Sequence, residues 1–75
     1  MVKQLIEYIV KQLVESPDVV TVTLNEEKQV LEVRVAKSDL GKVIGKEGQT
    51  VRAMRAIVDA IGSDNIKDII LTAIE

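Results

Sequence analysis

The sequence predicts one small α+β domain, with a three-stranded sheet and helices packed on one of its faces. Apolar residues recur at intervals of three and four near the N-terminus and again after position 49, which is the spacing of amphipathic helices. Between positions 20 and 35, apolar and polar residues alternate, as they do in half-buried strands. The 75 residues contain no linker and no repeat, so residues 1–75 are expected to form a single domain.

The first helix is predicted from an apolar stripe within positions 2–14. Its members are Val2, Leu5, Ile6, Ile9, Val10, Leu13 and Val14. Ser16-Pro17 should end this helix, because the residue before a proline is disfavoured in the α region. Tyr8 is the only aromatic residue and lies off the stripe, so we expect it at the surface.

An antiparallel hairpin is predicted after the first helix. Its first strand has apolar residues at positions 20, 22 and 24, and its second has them at 31, 33 and 35. The polar segment 25–28 lies between the strands and is typical of a hairpin turn. Glu26 and Glu27 in this turn are interpreted as a charged tip, since nothing nearby would separate their pKa values for acid–base catalysis.

A short helix is predicted to begin after Ser38, whose hydroxyl is a suitable N-terminal cap, and to continue to about Ile44. A longer helix is predicted from Gln49 to about Ile61, with Gly62 placed to end it in the left-handed conformation. The final segment, 66–74, is more continuously apolar and is therefore predicted to be a more fully buried strand.

The composition argues against an enzyme. The chain has no cysteine and no histidine, so it lacks thiol chemistry, the usual general base and the commonest metal ligand. Its carboxylates are scattered, with no pattern that suggests a shared pocket. We expect no metal and no cofactor. No apolar run is long enough to span a membrane, and charges interrupt the first residues, so the sequence is interpreted as that of a cytoplasmic protein.

Positive charge is concentrated in the middle of the chain. Residues 37–55 carry five basic and two acidic residues, a local charge of +3, whereas the whole chain has a net charge of −2. Such a local surface can steer an anion towards the protein. On charge alone, however, a solvated helix face is the favoured interpretation.

Two glycines, Gly45 and Gly48, bracket Lys46 and Glu47 just before the longer helix. Glycine adopts positive φ and lets another chain approach its backbone closely. The first amides of a helix lack partners within the helix and lie at its positive end, which suits a phosphate. The same Gly-x-x-Gly spacing also describes an ordinary turn between two helices, and the loop by itself favours that interpretation.

The wider context resembles a known module. The stretch DLGKVIGKEGQTVRAMRAIV, residues 39–58, is similar to the signature of the KH domain, which binds RNA and single-stranded DNA. The matching parts are Gly41, Val43-Ile44-Gly45, the loop 45–48 and Thr50-Val51. The element order resembles the type II KH fold, α-β-β-α-α-β with a mixed sheet. The length resembles that of the small bacterial single-KH proteins of the KhpA family.

This resemblance implies non-catalytic binding of single-stranded RNA, in an RNA-chaperone or regulatory accessory role. The loop would hold the sugar-phosphate backbone of about four nucleotides, with the bases in an adjacent apolar groove. It also implies that the strands near 29–36 and 66–74 are adjacent and parallel. The implied RNA-binding residues are Gly41, Lys42, Ile44, Gly45, Lys46, Glu47, Gly48, Gln49, Arg52 and Arg55.

Two details of the implied site stay open at this point. Val33 and Val35 are candidates for the floor of the groove or for plain core. The loop departs from the usual pattern of basic residues without an acid, because Lys46 is followed by Glu47. That carboxylate either repels a phosphate or points to solvent.

A second surface is predicted on the longer helix, where Ala53, Ala56 and Ala60 extend the apolar arc beside Ile57. They face either another helix of the same chain or a second copy. The KhpA resemblance implies self-association and pairing with a larger KH-containing protein. The rival function is therefore a protein-interaction module with little affinity for RNA, and a small-ligand-binding domain is a third.

Overall fold

The computed structural model describes residues 2–61 and 66–74 of the chain. Within them, three α-helices and three strands follow one another in the predicted order. They are α1 (Val2–Leu13), β1 (Thr21–Asn25), β2 (Val30–Ala36), α2 (Leu40–Ile44), α3 (Gln49–Ile61) and β3 (Asp68–Ile74). Short 3₁₀ turns at Pro17–Val19, Lys37–Asp39 and Lys46–Gly48 lie between them.

The sheet has the order β1-β2-β3. β1 pairs antiparallel with β2, so that Val22 lies opposite Val33, and β3 pairs parallel with β2, so that Leu71 lies opposite the same residue. The predicted hairpin and the implied mixed sheet are both confirmed. Parallel pairing requires a long crossover, and α2 with α3 supplies it. The loop with Gly45 and Gly48 lies between these two helices.

The helices cover one face of the sheet, and the core lies between them and β2. The side chains with no exposed surface come from α1 (Val2, Ile6 and Val10), β2 (Leu31, Val33 and Val35) and α2 (Val43). Met54 and Val58 add the buried side of α3. Of the two interpretations left open for Val33 and Val35, plain core is therefore the correct one.

The apolar stripes are less fully buried than their periodicity suggests. Leu5 and Leu13 lie at the edge of α1 and are more than a third exposed, as are Ile57 and Ile61 on α3. Tyr8 is at the surface, as predicted. A core this small leaves the margins of each helix in solvent.

Two predictions are wrong. Strand β3 is buried on one side only: Ile69 is 7% exposed, but Ile70 is 41% exposed, because none of the described helices covers the second face of the sheet. Ser38 does not cap α2, since it lies within the 3₁₀ turn and no side chain caps that helix.

The predicted left-handed Gly62 and the link at 63–65 lie outside the described residues. No described helix has the length and apolar character needed to cross a bilayer.

Candidate nucleic-acid interface

The loop between α2 and α3 has an unusual backbone. Gly45 adopts φ 77° and ψ 173°, Glu47 adopts φ 57° and Gly48 adopts φ 74°. Three of its four residues thus have positive φ, which L side chains rarely adopt. The Gly45 amide donates to the Gly41 carbonyl at 2.9 Å, and the Gly48 amide donates to the Gly45 carbonyl at 3.2 Å. These bonds fold the loop into a tight turn directly before α3.

The glycines of this region have different structural requirements. A Cβ on Gly45 would clash with the Thr50 side chain and lie 2.9 Å from the Thr50 amide nitrogen, so this position requires glycine for the fold itself. At Gly48 the nearest atom to a Cβ would be a Val51 methyl carbon at 4.0 Å, and at Gly41 nothing lies within 4 Å. Gly41 and Gly48 therefore have open space where a side chain would be.

The start of α3 lies beside that space, and its Gln49 amide donates to the Lys46 carbonyl. The helix has 13 residues, and its first amides lie at the positive end of the helix dipole. Gln49 is exposed beside it, and so is Lys46 at the loop tip. Within the described part of the chain, Lys46 forms no ion pair. Its ammonium group is thus available to an anion at the loop.

Two basic residues of the predicted site are already paired with carboxylates. The Lys42 ammonium lies 2.8 Å from Glu15 and 3.6 Å from Asp39, while Arg55 lies 3.3 Å from Asp68 on β3. The hydrogen bond to Glu15 is the main cause that raises the pKa of Lys42, so this side chain is charged at neutral pH. The local charge of +3 in the sequence therefore overstates the positive potential at the loop.

Arg52 is also engaged, but with backbone oxygens. Its Nη2 donates to the Glu47 carbonyl at 2.7 Å, and its Nε donates to the Gly48 carbonyl at 3.4 Å. Carbonyl groups carry no net charge, so the positive charge of Arg52 stays at the loop. This contact is one that the sequence did not predict.

Asp39 has a structural role beside the candidate site that the sequence did not reveal. Its side chain is 1% exposed, and its carboxylate accepts hydrogen bonds from the backbone amides of Glu15 and Ser16 at 3.2 and 3.1 Å. It therefore fastens the segment after α1 to the start of α2. In the sequence, Asp39 is visible only as the residue that follows Ser38 before a helix. That pattern indicates an N-terminal helix cap rather than a contact with a distant part of the chain.

The structure brings most of the predicted site residues to one end of the molecule. Gly41 and Lys42 lie exposed on α2, with the half-buried Ile44 at its last position, and the loop and the start of α3 follow directly. Arg55 lies one turn after Arg52 on α3, and its ion pair with Asp68 directs it towards β3. The described residues include no cluster of His, Cys, Asp or Glu that could hold a metal ion.

The alanine surface of α3 is open in the described structure. Ala53, Ala56 and Ala60 are exposed, and Ile57 beside them is 37% exposed. The interpretation that another helix of the same chain covers these alanines is therefore wrong.

Comparison with known proteins identifies a matching family and relatives that share one name. A family model described as the KH domain of KhpA/KhpB matches residues 3–72. The "RNA-binding protein KhpA" of Streptomyces coelicolor is 45% identical over 69 residues, which cover 89% of this chain and 87% of that protein. The proteins of the same name from Listeria monocytogenes and Aquifex aeolicus are 44% and 43% identical over 75 residues. These alignments cover 97% of this chain and 99% and 95% of the two relatives. No solved structure matches the chain significantly.

Proposed function

This chain belongs to the KhpA/KhpB KH-domain family, and we propose that it binds single-stranded RNA without catalysing a reaction. The observation that carries the proposal is the loop at 45–48, which combines positive φ angles and an exposed Lys46 directly before the N-terminus of α3. A phosphate group is the ligand that suits such a site, because amide donors and the helix dipole both favour a negative charge.

The proposed complex uses each part of this end of the molecule differently. The RNA backbone passes over Gly48 and Gly41, where the absence of a side chain leaves room. Lys46 supplies charge to one phosphate, and the half-buried Ile44 offers an apolar contact to a base. The chain has no aromatic residue other than Tyr8. Binding therefore relies on the backbone and on few base contacts, so it is expected to tolerate many sequences.

The salt dependence of binding tests this mechanism. With about three phosphates contacted, the logarithm of the association constant should fall with the logarithm of salt concentration with a slope of about −2 for a single strand. The measurement is a titration of the protein with a mixed-sequence RNA of about eight nucleotides, twice the length that a KH loop holds, at several salt concentrations. Backbone amide shifts in NMR should centre on residues 41–55.

Two results would exclude the mechanism. Binding with a slope near zero would show that phosphates do not contribute. Absence of binding at low salt, with the domain folded, would show that the protein is an interaction module, the second candidate function that the open alanine surface favours.

We further propose that Ala53, Ala56 and Ala60 form a contact with a second KH domain. That domain belongs to another copy of this chain or to a larger KH-containing protein. Small side chains allow two helices to approach closely, and a second domain would enlarge a core that is thin for one chain. The proposed role is that of an RNA chaperone or regulatory accessory protein in the cytoplasm, where RNA is available.

Self-association is tested by sedimentation of the protein at high micromolar concentration. Ala56→Glu should shift the protein to monomer without unfolding it, since Ala56 is exposed in the single chain and a buried, unpaired carboxylate opposes association. Gln4→Glu, which adds the same charge at an exposed position of α1, is the control and should leave the dimer intact. A wild-type protein that sediments only as a monomer would exclude the homodimer.

A further inference from the structure

The shape of the loop requires support, because Glu47 is not a glycine. It adopts φ 57° and ψ 26°, the left-handed conformation that costs a non-glycine residue roughly 1 kcal/mol. On either side of it lie Lys46, with an exposed side chain, and Gly48, which restricts the backbone least of all residues. Local preference alone does not hold this segment in one conformation.

Arg52 contacts the loop at this point. Its guanidinium group donates to the carbonyl oxygens of both Glu47 and Gly48, at 2.7 and 3.4 Å, and so connects the loop to the first turn of α3. Hydrogen bonds with a charged donor are stronger than neutral ones, and a planar guanidinium reaches two acceptors at once where an ammonium acts as a point charge.

The position of this arginine is otherwise unfavourable. A cation in the first turn of a helix lies near the positive end of the helix dipole, where it is repelled. Donation to two carbonyl oxygens offsets that repulsion. Arg55, one turn later on the same helix, pairs with a carboxylate on β3 and contacts neither loop carbonyl.

We propose that Arg52 is a positioning residue, which holds the loop in the shape that receives the RNA backbone rather than binding a phosphate itself. The inference rests on the proposed function, and it assigns Arg52 a role different from the phosphate contact that its charge implies. It makes arginine, and not positive charge alone, the requirement at this position.

The test compares Arg52→Lys, which keeps the charge, with Arg52→Met, which keeps the length of the side chain and removes the charge. In the RNA-free protein, both changes should speed hydrogen exchange of the Gly48 amide about tenfold, the effect of losing one or two charge-assisted hydrogen bonds. Arg55→Met is the matched control, since it removes a guanidinium from the same helix without touching the loop. It should leave that exchange rate unchanged.

RNA affinity then separates the two roles. A positioning residue predicts similar losses for Arg52→Lys and Arg52→Met, about five- to tenfold each, with the wild-type salt slope retained. A phosphate ligand predicts that lysine restores affinity, and that methionine reduces the slope by about 0.7 while loop exchange is unchanged. Those latter results would overturn the proposal.

The outcome stays distinct from that of the proposed function. If the wild-type protein fails to bind RNA, the proposed function is wrong, yet the exchange rates in the free protein still decide whether Arg52 holds the loop. Arg52 is exposed, so both variants are expected to fold, and circular dichroism verifies this.

Discussion

Replacing Gly48 by aspartate is expected to weaken binding of single-stranded RNA by more than 100-fold while the domain stays folded. The new Cβ would have its nearest neighbour at 4.0 Å, and aspartate tolerates the left-handed backbone of this position. Its carboxylate would occupy the end of α3 that a phosphate needs. Placing like charges side by side costs several kcal/mol, and about 3 kcal/mol already exceeds 100-fold.

The matched control is Gly48→Asn, which has the same size and the same tolerance of positive φ but no charge. It should weaken binding much less than the aspartate does. Fluorescence anisotropy with a labelled RNA measures the affinities, and thermal unfolding followed by circular dichroism verifies the fold. Equal affinities for the two variants would show that no phosphate lies at Gly48. Gly45 is unsuitable for this experiment, since any side chain there meets Thr50 and disturbs the loop itself.

Replacing Asp39 by alanine should lower the free energy of unfolding by about 3 kcal/mol, since two partly buried backbone amides lose a charged acceptor that is itself fully buried. That is a large share of the roughly 4–11 kcal/mol typical of 75 residues. The midpoint of thermal unfolding should fall by roughly 12–24 °C. Urea unfolding of the wild type and the variant measures the difference.

Glu15→Ala is the control for Asp39. It removes a side chain that is 82% exposed and pairs with the same Lys42, but leaves the backbone amide of residue 15 in place. An exposed ion pair contributes little, so the change in stability should stay within about 0.5 kcal/mol. Equal stabilities of the wild type and Asp39→Ala would show that the buried carboxylate does not hold α2 in place.

The fold could be predicted because its elements follow local periodicity. The stripe of α1, the alternation of the hairpin strands and the return of the helical period at Gln49 are each visible within a dozen residues. Burial could not be predicted so well. Ile70 belongs to an apolar run, but its exposure depends on which face of the sheet the helices cover, which is a property of the whole fold.

The candidate site was predictable where it depends on the backbone, since two glycines before a helix start indicate positive φ, which both glycines adopt. It was less predictable where it depends on side-chain partners. Asp39 bonds to amides 23 and 24 positions away, and Arg55 pairs with an aspartate on another element. Such contacts follow from the tertiary arrangement, which no local pattern records.

The parallel pairing of β2 with β3 also affects how the protein reaches this structure. Every pair in that register joins residues 38 positions apart, from Val30 with Asp68 to Ala36 with Ile74. The ends of the intervening segment, which includes the loop, must come together before any of these contacts forms. Contacts between residues so far apart in the sequence slow folding. On a ribosome, the sheet would be completed only after residues 68–74 have emerged. The loop between α2 and α3, which lies within this crossover, therefore reaches its final place in the fold only after residues 68–74 have been synthesised.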